Sequence, residues 1–393
     1  MGAPRTVSGI RWVALGACSL LATAALAASG PYVKPGDEVV GFVRTRFFDA
    51  KKAEAWASTH QGYGAAATNE EDFVRRTNEA LAELGVSHSA LYAKGSAGHT
   101  ALSAIFQHVL KFPRVEYTSI GADLVERPDG VFVRHVFAGG PAARAGLLRG
   151  DRLVSGASFE GRAGKPTRIS VERTRGAAPL SLTVTPRRVN PKAEWLEVQR
   201  GSSRIVERNG RRVAYQHLFS CAGPEHQDVL QDAITSTFAN AEALVIDFRD
   251  GWGGCNPDFL NLFNPLVPLF TDINREGQRN TRSMTWRKPV VLLVNGNSRS
   301  GKEMVAFAFK KHKRGTLVGQ RTAGAVLAGA PLLLSNGDLL YLAVMDVEVE
   351  GVRLEGTGVD VDVEVPDSLP YSEGKDAQLD KALEVAASAV GRR

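Results

Sequence analysis

Short apolar runs in the second half of the chain constrain the fold most. Val213–Leu218, Ala243–Asp247, Val290–Val294 and Thr316–Val318 are nearly uninterrupted by polar residues. Each is too brief for a self-burying helix, and none alternates as a strand with one wet face would. Such runs are strands buried on both faces. Helical patterns lie between and around them, over about 225–238, 257–270 and 302–312. The alternation implies a mainly parallel sheet covered by helices, an α/β core. A chain of 393 residues has room for more than this one unit.

The preceding sequence reads differently. Arg5 and Arg11 flank a start that becomes apolar or small from Trp12 to Leu26, and Ala25-Leu26-Ala27 forms a small-x-small cleavage site. That run falls short of the roughly 20 residues a spanning helix needs. Residues 1–27 are therefore expected to be an export signal. Leu15-Gly16-Ala17-Cys18 offers the alternative of a lipoprotein anchored at Cys18. Residues 28–113 are expected to be a helical leader. Val39, Val40, Phe42, Val43, Phe47 and Phe48 recur at helical spacing, as do Phe73, Ala80, Leu81 and Leu84 before Gly85. Residues 114–189 carry strand patterns at Val131–Val133, Arg152–Val154, Ile169–Arg173 and Leu180–Thr185, and a short helix over Gly140–Leu147. The third unit is 190–393.

Composition narrows the function. At 44% hydrophobic and 23% charged residues, the chain is not low-complexity disorder. Its net charge of +6 is spread over 48 basic and 42 acidic residues, which does not point to nucleic acid. The single basic run, Lys310–Arg314, stands at a helix C-terminus, where the dipole favours cations. The eight histidines show neither HExxH nor paired-ligand spacing, so no metal or other cofactor is expected.

Two segments carry chemistry. The strand Leu292–Val294 leads through Asn295, Gly296, Asn297, Ser298, Arg299, Ser300 and Gly301 into a helix. A serine there stands at the positive end of a helix dipole, where an attacking alkoxide would be stabilised. The strand Ala243–Asp247 runs into Phe248-Arg249-Asp250-Gly251-Trp252-Gly253-Gly254, whose glycines admit close approach of backbone amides to a ligand.

Together these segments resemble the tail-specific, or C-terminal processing, serine peptidase family. The matching motifs are the Asp247-x-Arg249 strand end with its glycines, Pro289–Asn295, Ser300-x-x-Glu303, Gly319–Gly324, Gly358–Val363 and Gln378–Leu383. Val361 replaces the family's proline. Leu84-Gly85-Val86-Ser87-His88 resembles a segment of its leader. One branch uses a Ser–Lys dyad, but its lysine position is Ala325 here. The tricorn-core-like branch fits better, through Tyr215-Gln216-His217 and the Glu355 that shortly precedes Gly358-Val359. The resemblance implies a ClpP/crotonase-like α/β core with Ser300 as nucleophile, His217 as base and Glu355 as its orienting carboxylate. Gly301 with Gly253 or Gly254 would supply the oxyanion hole. Gln216 stands where that branch has a polar helper.

The run Gly130–Val154 resembles a PDZ domain of the protease-associated kind, with Ser119-Ile120-Gly121-Ala122 as its peptide-carboxylate loop. Gly156–Lys165 is too short for the usual groove helix, so a spacer role is the alternative. Cys221 and Cys255 follow the His217 strand and Gly253-Gly254. If those strands are neighbours, an oxidising compartment favours a disulfide between them, against two separate buried thiols.

The expected function is an exported, periplasmic or secreted serine endopeptidase. Its partners would be protein or peptide substrates, with self-association open and neither nucleic acid nor an integral membrane segment involved. The competing readings are a catalytically silent peptide-binding scaffold and a hydrolase of non-peptide esters.

Overall fold

The computed structural model describes residues 30–156 and 158–391. The expected signal segment, with Arg5, Arg11 and Cys18, lies outside the described residues.

The apolar runs form the centre of a six-stranded sheet. Strands Arg204–Arg208, Arg211–His217, Ala243–Asp247, Val290–Val294, Thr316–Gly319 and Val363–Glu364 lie across it in chain order. The first pair is antiparallel and the remainder parallel. Strand periodicity sorts their side chains cleanly. Leu244, Ile246, Leu292, Val294 and Leu317 meet helices Glu225–Thr235 and Gly301–Lys311. Ala243, Val245, Val291, Leu293 and Val318 meet helix Ala377–Ala389 on the opposite face. Burial on both faces is what the unbroken apolar runs require. One expected helix is absent. Residues 257–270 make only a 3-10 turn over Pro257–Phe263, followed by the exposed hairpin Phe270–Ile273 and Arg279–Arg282. Pro265 and Pro268 remove backbone donors and forbid helical continuation.

The leader contains helices Val33–Arg46, Ala50–Thr59, Glu70–Ala82 and Ala97–Ile105, and a one-turn helix Gln107–Leu110. Side chains of Asp49, Asn69 and Ser96 cap the second, third and fourth of these by accepting from backbone N–H groups in the first turn. The leader is not purely helical, however. Ala90–Tyr92 is a strand paired antiparallel with Leu339–Met345, which also pairs with Ala328–Leu333. Its partner lies far along the chain, so local sequence patterning does not reveal it. The leader's core is completed by the same hairpin region: Val43, Phe73, Leu81 and Leu91 pack with Leu334, Leu340 and Leu342.

Between leader and core, five antiparallel strands run in chain order: Ala122–Arg127, Gly130–Val136, Arg152–Ser155, Thr167–Glu172 and Leu180–Val184. Val133, Leu147, Leu153, Ile169 and Val171 fill their interior, beside the short helix Pro141–Arg144. Among the described residues no helix lies between Arg152–Ser155 and Thr167–Glu172. Ala122–Arg127 is an edge strand, open to pairing. No described helix is long and apolar enough to cross a membrane.

The shared core predicts that leader and hairpin lose stability together. Leu340→Ala, at a fully buried position, should cost about 2–5 kcal/mol in urea unfolding. A loss under 1 kcal/mol would mean that the leader does not depend on the hairpin.

Candidate active site

The floor of the site is an ion cluster at the end of Ala243–Asp247. Arg249 donates from Nε and one terminal nitrogen to the two oxygens of Asp247, at 2.9 and 2.7 Å. Its terminal nitrogens also reach Asp376 at 2.9 and 2.8 Å and Gln378 Oε1 at 3.2 Å. Asp376 also caps helix Ala377–Ala389, and Tyr215 Oη donates to Asp247 at 3.0 Å. A buried guanidinium is tolerated because two carboxylates and a planar donor fork satisfy it. The Asp-x-Arg motif therefore ties the strand end, the glycine loop and the final helix together.

Ser300 enters helix Gly301–Lys311 with φ 57° and ψ −129°, a conformation that a residue with a Cβ rarely adopts. Such strain, of order 1–3 kcal/mol, is characteristic of a nucleophile presented on a sharp strand-to-helix turn. Ser298 braces the turn by donating to Phe248 O and accepting from Asn295 N, at 2.9 and 3.0 Å. Ser300 N donates to Ala325 O at 2.8 Å. The fully buried Glu303 accepts from Thr322 Oγ1, Gly324 N and Ala325 N at 2.6–2.8 Å. The spacing Ser300-x-x-Glu303 thus fastens the 322–325 loop to the Ser300 turn.

The glycine loop closes on the same turn. A Cβ at Gly253 would stand 2.6 Å from Ser300 Cβ, and one at Gly301 would stand 2.4 Å from Cys255 O. Only glycine fits at either position. Cys221 and Cys255 form a disulfide, and Cys221 N donates to Gly253 O at 3.1 Å. Among the described residues the N–H groups of Gly253, Gly254 and Gly301 have no acceptor. Lys302 lies beneath the loop, donating to Asp250 O at 2.8 Å and Phe219 O at 3.3 Å. Burial pushes its pKa down to about 7, but its bonds commit it to loop carbonyls.

Glu355 reaches the leader. It accepts from Ser87 N at 2.7 Å, Ser87 Oγ at 2.9 Å and Val326 N at 2.8 Å. Ser87 Oγ in turn lies 2.7 Å from His88 Nδ1. The hydroxyl's one proton goes to the carboxylate, so His88 Nδ1 must be the donor to Ser87 Oγ. His88 Nε2 then carries the lone pair of a base. His88 has φ 55°, a second left-handed residue at this site. His88, Ser87, Ser300, Gly253 and Gly254 all line one cavity of about 360 Å³. Burial lowers the His88 pKa to about 4, against the pull of Glu355 and aided by Arg299. The imidazole is therefore neutral at pH 7.

His217, expected as the base, is not at this cavity. It pairs in register with Asp247, and its ring packs 4.7 Å from that of His135 and edge-on to Phe219. Burial pushes its pKa down to about 3. Among the described residues its ring bonds to neither Ser300 nor Glu355. It is buried at a strand end, and its Nε2 has no hydrogen-bond partner among the described residues. Gln216 is likewise buried, accepting from Gln199 and donating to Ser203, both at 2.9 Å. In the 119–122 loop, Gly121 N–H already donates to Ser119 Oγ at 2.9 Å, and Ser119 donates to Glu194. An amide needed for carboxylate capture is thus already used. Residues 87 and 88 were visible only as part of the leader segment. Their signal is a Ser-His pair one residue beyond the Gly85 helix stop.

The α/β core, with a strained serine and a carboxylate-linked histidine lining one cavity, has the makeup of a serine peptidase domain. Residues 212–365 match the model of peptidase family S41, and the chain carries a domain of that family. Tricorn protease homolog 1 of Streptomyces coelicolor is 27% identical over 354 residues, which is 81% of this chain and 31% of that protein. A carboxy-terminal-processing protease of Bartonella bacilliformis is 26% identical over 250 residues, 58% of this chain and 57% of that one. The chain thus spans less than two thirds of the length of these curated relatives. The crystal structure of the tricorn protease superposes with TM-score 0.55 at 19% identity, over 90% of this chain and 36% of that one. A putative S41 protease from Bacteroides fragilis gives 0.52 at 18% identity, over 88% and 95%.

Ser87→Ala removes the hydroxyl between His88 and Glu355 but keeps the backbone N–H contact to the carboxylate. The expected result is a 10- to 100-fold fall in kcat/KM, about 1.4–2.7 kcal/mol, with little change in KM. An unchanged kcat would remove Ser87 from the relay.

Proposed function

We propose that the protein is an exported serine endopeptidase that cleaves peptides or unstructured and C-terminal regions of proteins. The observation that carries this reading is the relay Glu355–Ser87–His88, opening on the cavity that Ser300 lines. His88 Nε2 takes the Ser300 proton as the hydroxyl attacks the scissile carbonyl. The imidazolium that forms donates to Ser87, whose own proton remains on the Glu355 side, so charge is stabilised without leaving the ring. The tetrahedral oxyanion is received by the N–H groups of Gly301 and of Gly253 or Gly254. His88 returns its proton to the leaving amine, and water repeats the cycle on the acyl-enzyme.

Export is supported by the apolar N-terminal run and by the Cys221–Cys255 disulfide, which persists in oxidising compartments. The five-stranded unit is read as PDZ-like. Its open strand Ala122–Arg127 is the edge on which an extended substrate can pair.

The test is cleavage of an unstructured polypeptide, followed by mass spectrometry across pH. Wild type should cleave and Ser300→Ala should not. Because the free His88 is depressed well below the ordinary 6.5, it stays neutral as pH falls through that value. The acid limb of kcat/KM should therefore lie near pH 4 to 5. Cleavage surviving Ser300→Ala, or an acid limb above 6.5, would contradict the mechanism.

A further inference from the structure

A second cavity, of about 420 Å³, adjoins the one holding Ser300 and extends to the edge strand Ala122–Arg127. Trp252 and Arg299 line both cavities and so mark their junction. The Ser300 cavity is walled by Val86, Leu102, Ile105, Phe106 and Tyr341, which suits a large apolar side chain next to the scissile bond.

The charges at this junction are unequal. Arg134 also lines the larger cavity, but Asp123 at 2.6 Å and Asp250 at 3.0 Å neutralise it. Arg299 has no carboxylate partner among the described residues. Its one side-chain hydrogen bond among the described residues is a long one from Nε to Asn297 O, at 3.4 Å. Arg299 lines the Ser300 cavity together with His88 and Tyr92 and lines the larger cavity as well, so it borders both. Consecutive Cα atoms lie about 3.8 Å apart, and an extended substrate advances roughly 3.3 Å per residue. A side chain of arginine length rooted beside the nucleophile therefore reaches only the first few substrate residues. The loop expected to take a peptide carboxylate has one of its amides already bonded to Ser119.

We propose that Arg299 is a carboxylate-recognition site, which selects substrates bearing a carboxylate within about three residues of the cleaved bond, on the side in the larger cavity. The reading rests on the proposed peptidase function and names its substrate class. Guanidinium matches a carboxylate with two parallel bonds, and a partly dry cleft strengthens them. The carboxylate comes either from an acidic side chain or from a free C-terminus.

Binding separates this proposal from catalysis. Labelled peptides with one large apolar residue would be titrated into full-length Ser300→Ala protein and followed by fluorescence anisotropy. The series pairs Glu with Gln, and a free C-terminus with its amide, at one to three residues beyond the apolar one. The proposal expects at least tenfold tighter binding for one carboxylate form, which identifies its source. Adding Arg299→Gln should erase that difference, and Arg299→Glu should reverse it in favour of a Lys peptide. Misfolding cannot produce a reversal. Equal binding of all forms by the Ser300→Ala protein, or a preference that survives Arg299→Gln, would overturn the proposal. Failure of the peptidase reading shows separately, as a wild-type protein that is folded yet does not react with a fluorophosphonate.

Discussion

One carboxylate holds the two ends of the chain in a single site. Glu355 lies 268 residues from Ser87, yet it takes both the backbone and side-chain protons of that residue, together with Val326 N–H. Without it, the leader would still pack on the Leu339–Met345 hairpin, but nothing would hold the His88 ring in one tautomer. The shared core provides approximate placement of the leader, and the carboxylate converts it into fixed geometry. Packing alone is non-directional, whereas a base must be aimed to within a fraction of an ångström.

The Ser300 side is held by different means. Ser300 rests in a strained turn that neighbouring groups over-determine: Ser298 below, the Glu303-anchored loop at one flank and the disulfide-tethered glycine loop at the other. The Asp247–Arg249–Asp376 cluster fixes the floor from which the glycine loop departs. Each contact is local to the parallel sheet's strand ends, where α/β folds commonly place their ligands. The site is thus a rigid half built on the sheet, and a second half delivered by the leader.

That division explains what the sequence revealed. The parallel strands, the Ser300 turn, the glycine loop packed against it and the closing helix follow from apolar runs and turn residues that act locally. The Cys221 and Cys255 neighbourhood follows from strand adjacency. His88 is different, because its chemistry depends on Ser87 meeting a distant carboxylate, and a loop histidine after Gly85 has no periodicity to mark it. His217 occupies the C-terminal end of a parallel strand, a position that suits a site residue. Its register opposite Asp247 instead turns it into the packing around His135 and Phe219. The helix expected over 257–270 failed for a local reason, since Pro265 and Pro268 outweigh its apolar spacing.

Which histidine serves Ser300 is decided by covalent labelling. The rate at which a fluorophosphonate modifies Ser300 would be measured for wild type, His88→Ala and His217→Gln, each checked for folding by circular dichroism. A loss of at least 100-fold is expected for His88→Ala and a change below about threefold for folded His217→Gln. Near-normal labelling of His88→Ala, with labelling abolished in folded His217→Gln, would contradict His88 as the base.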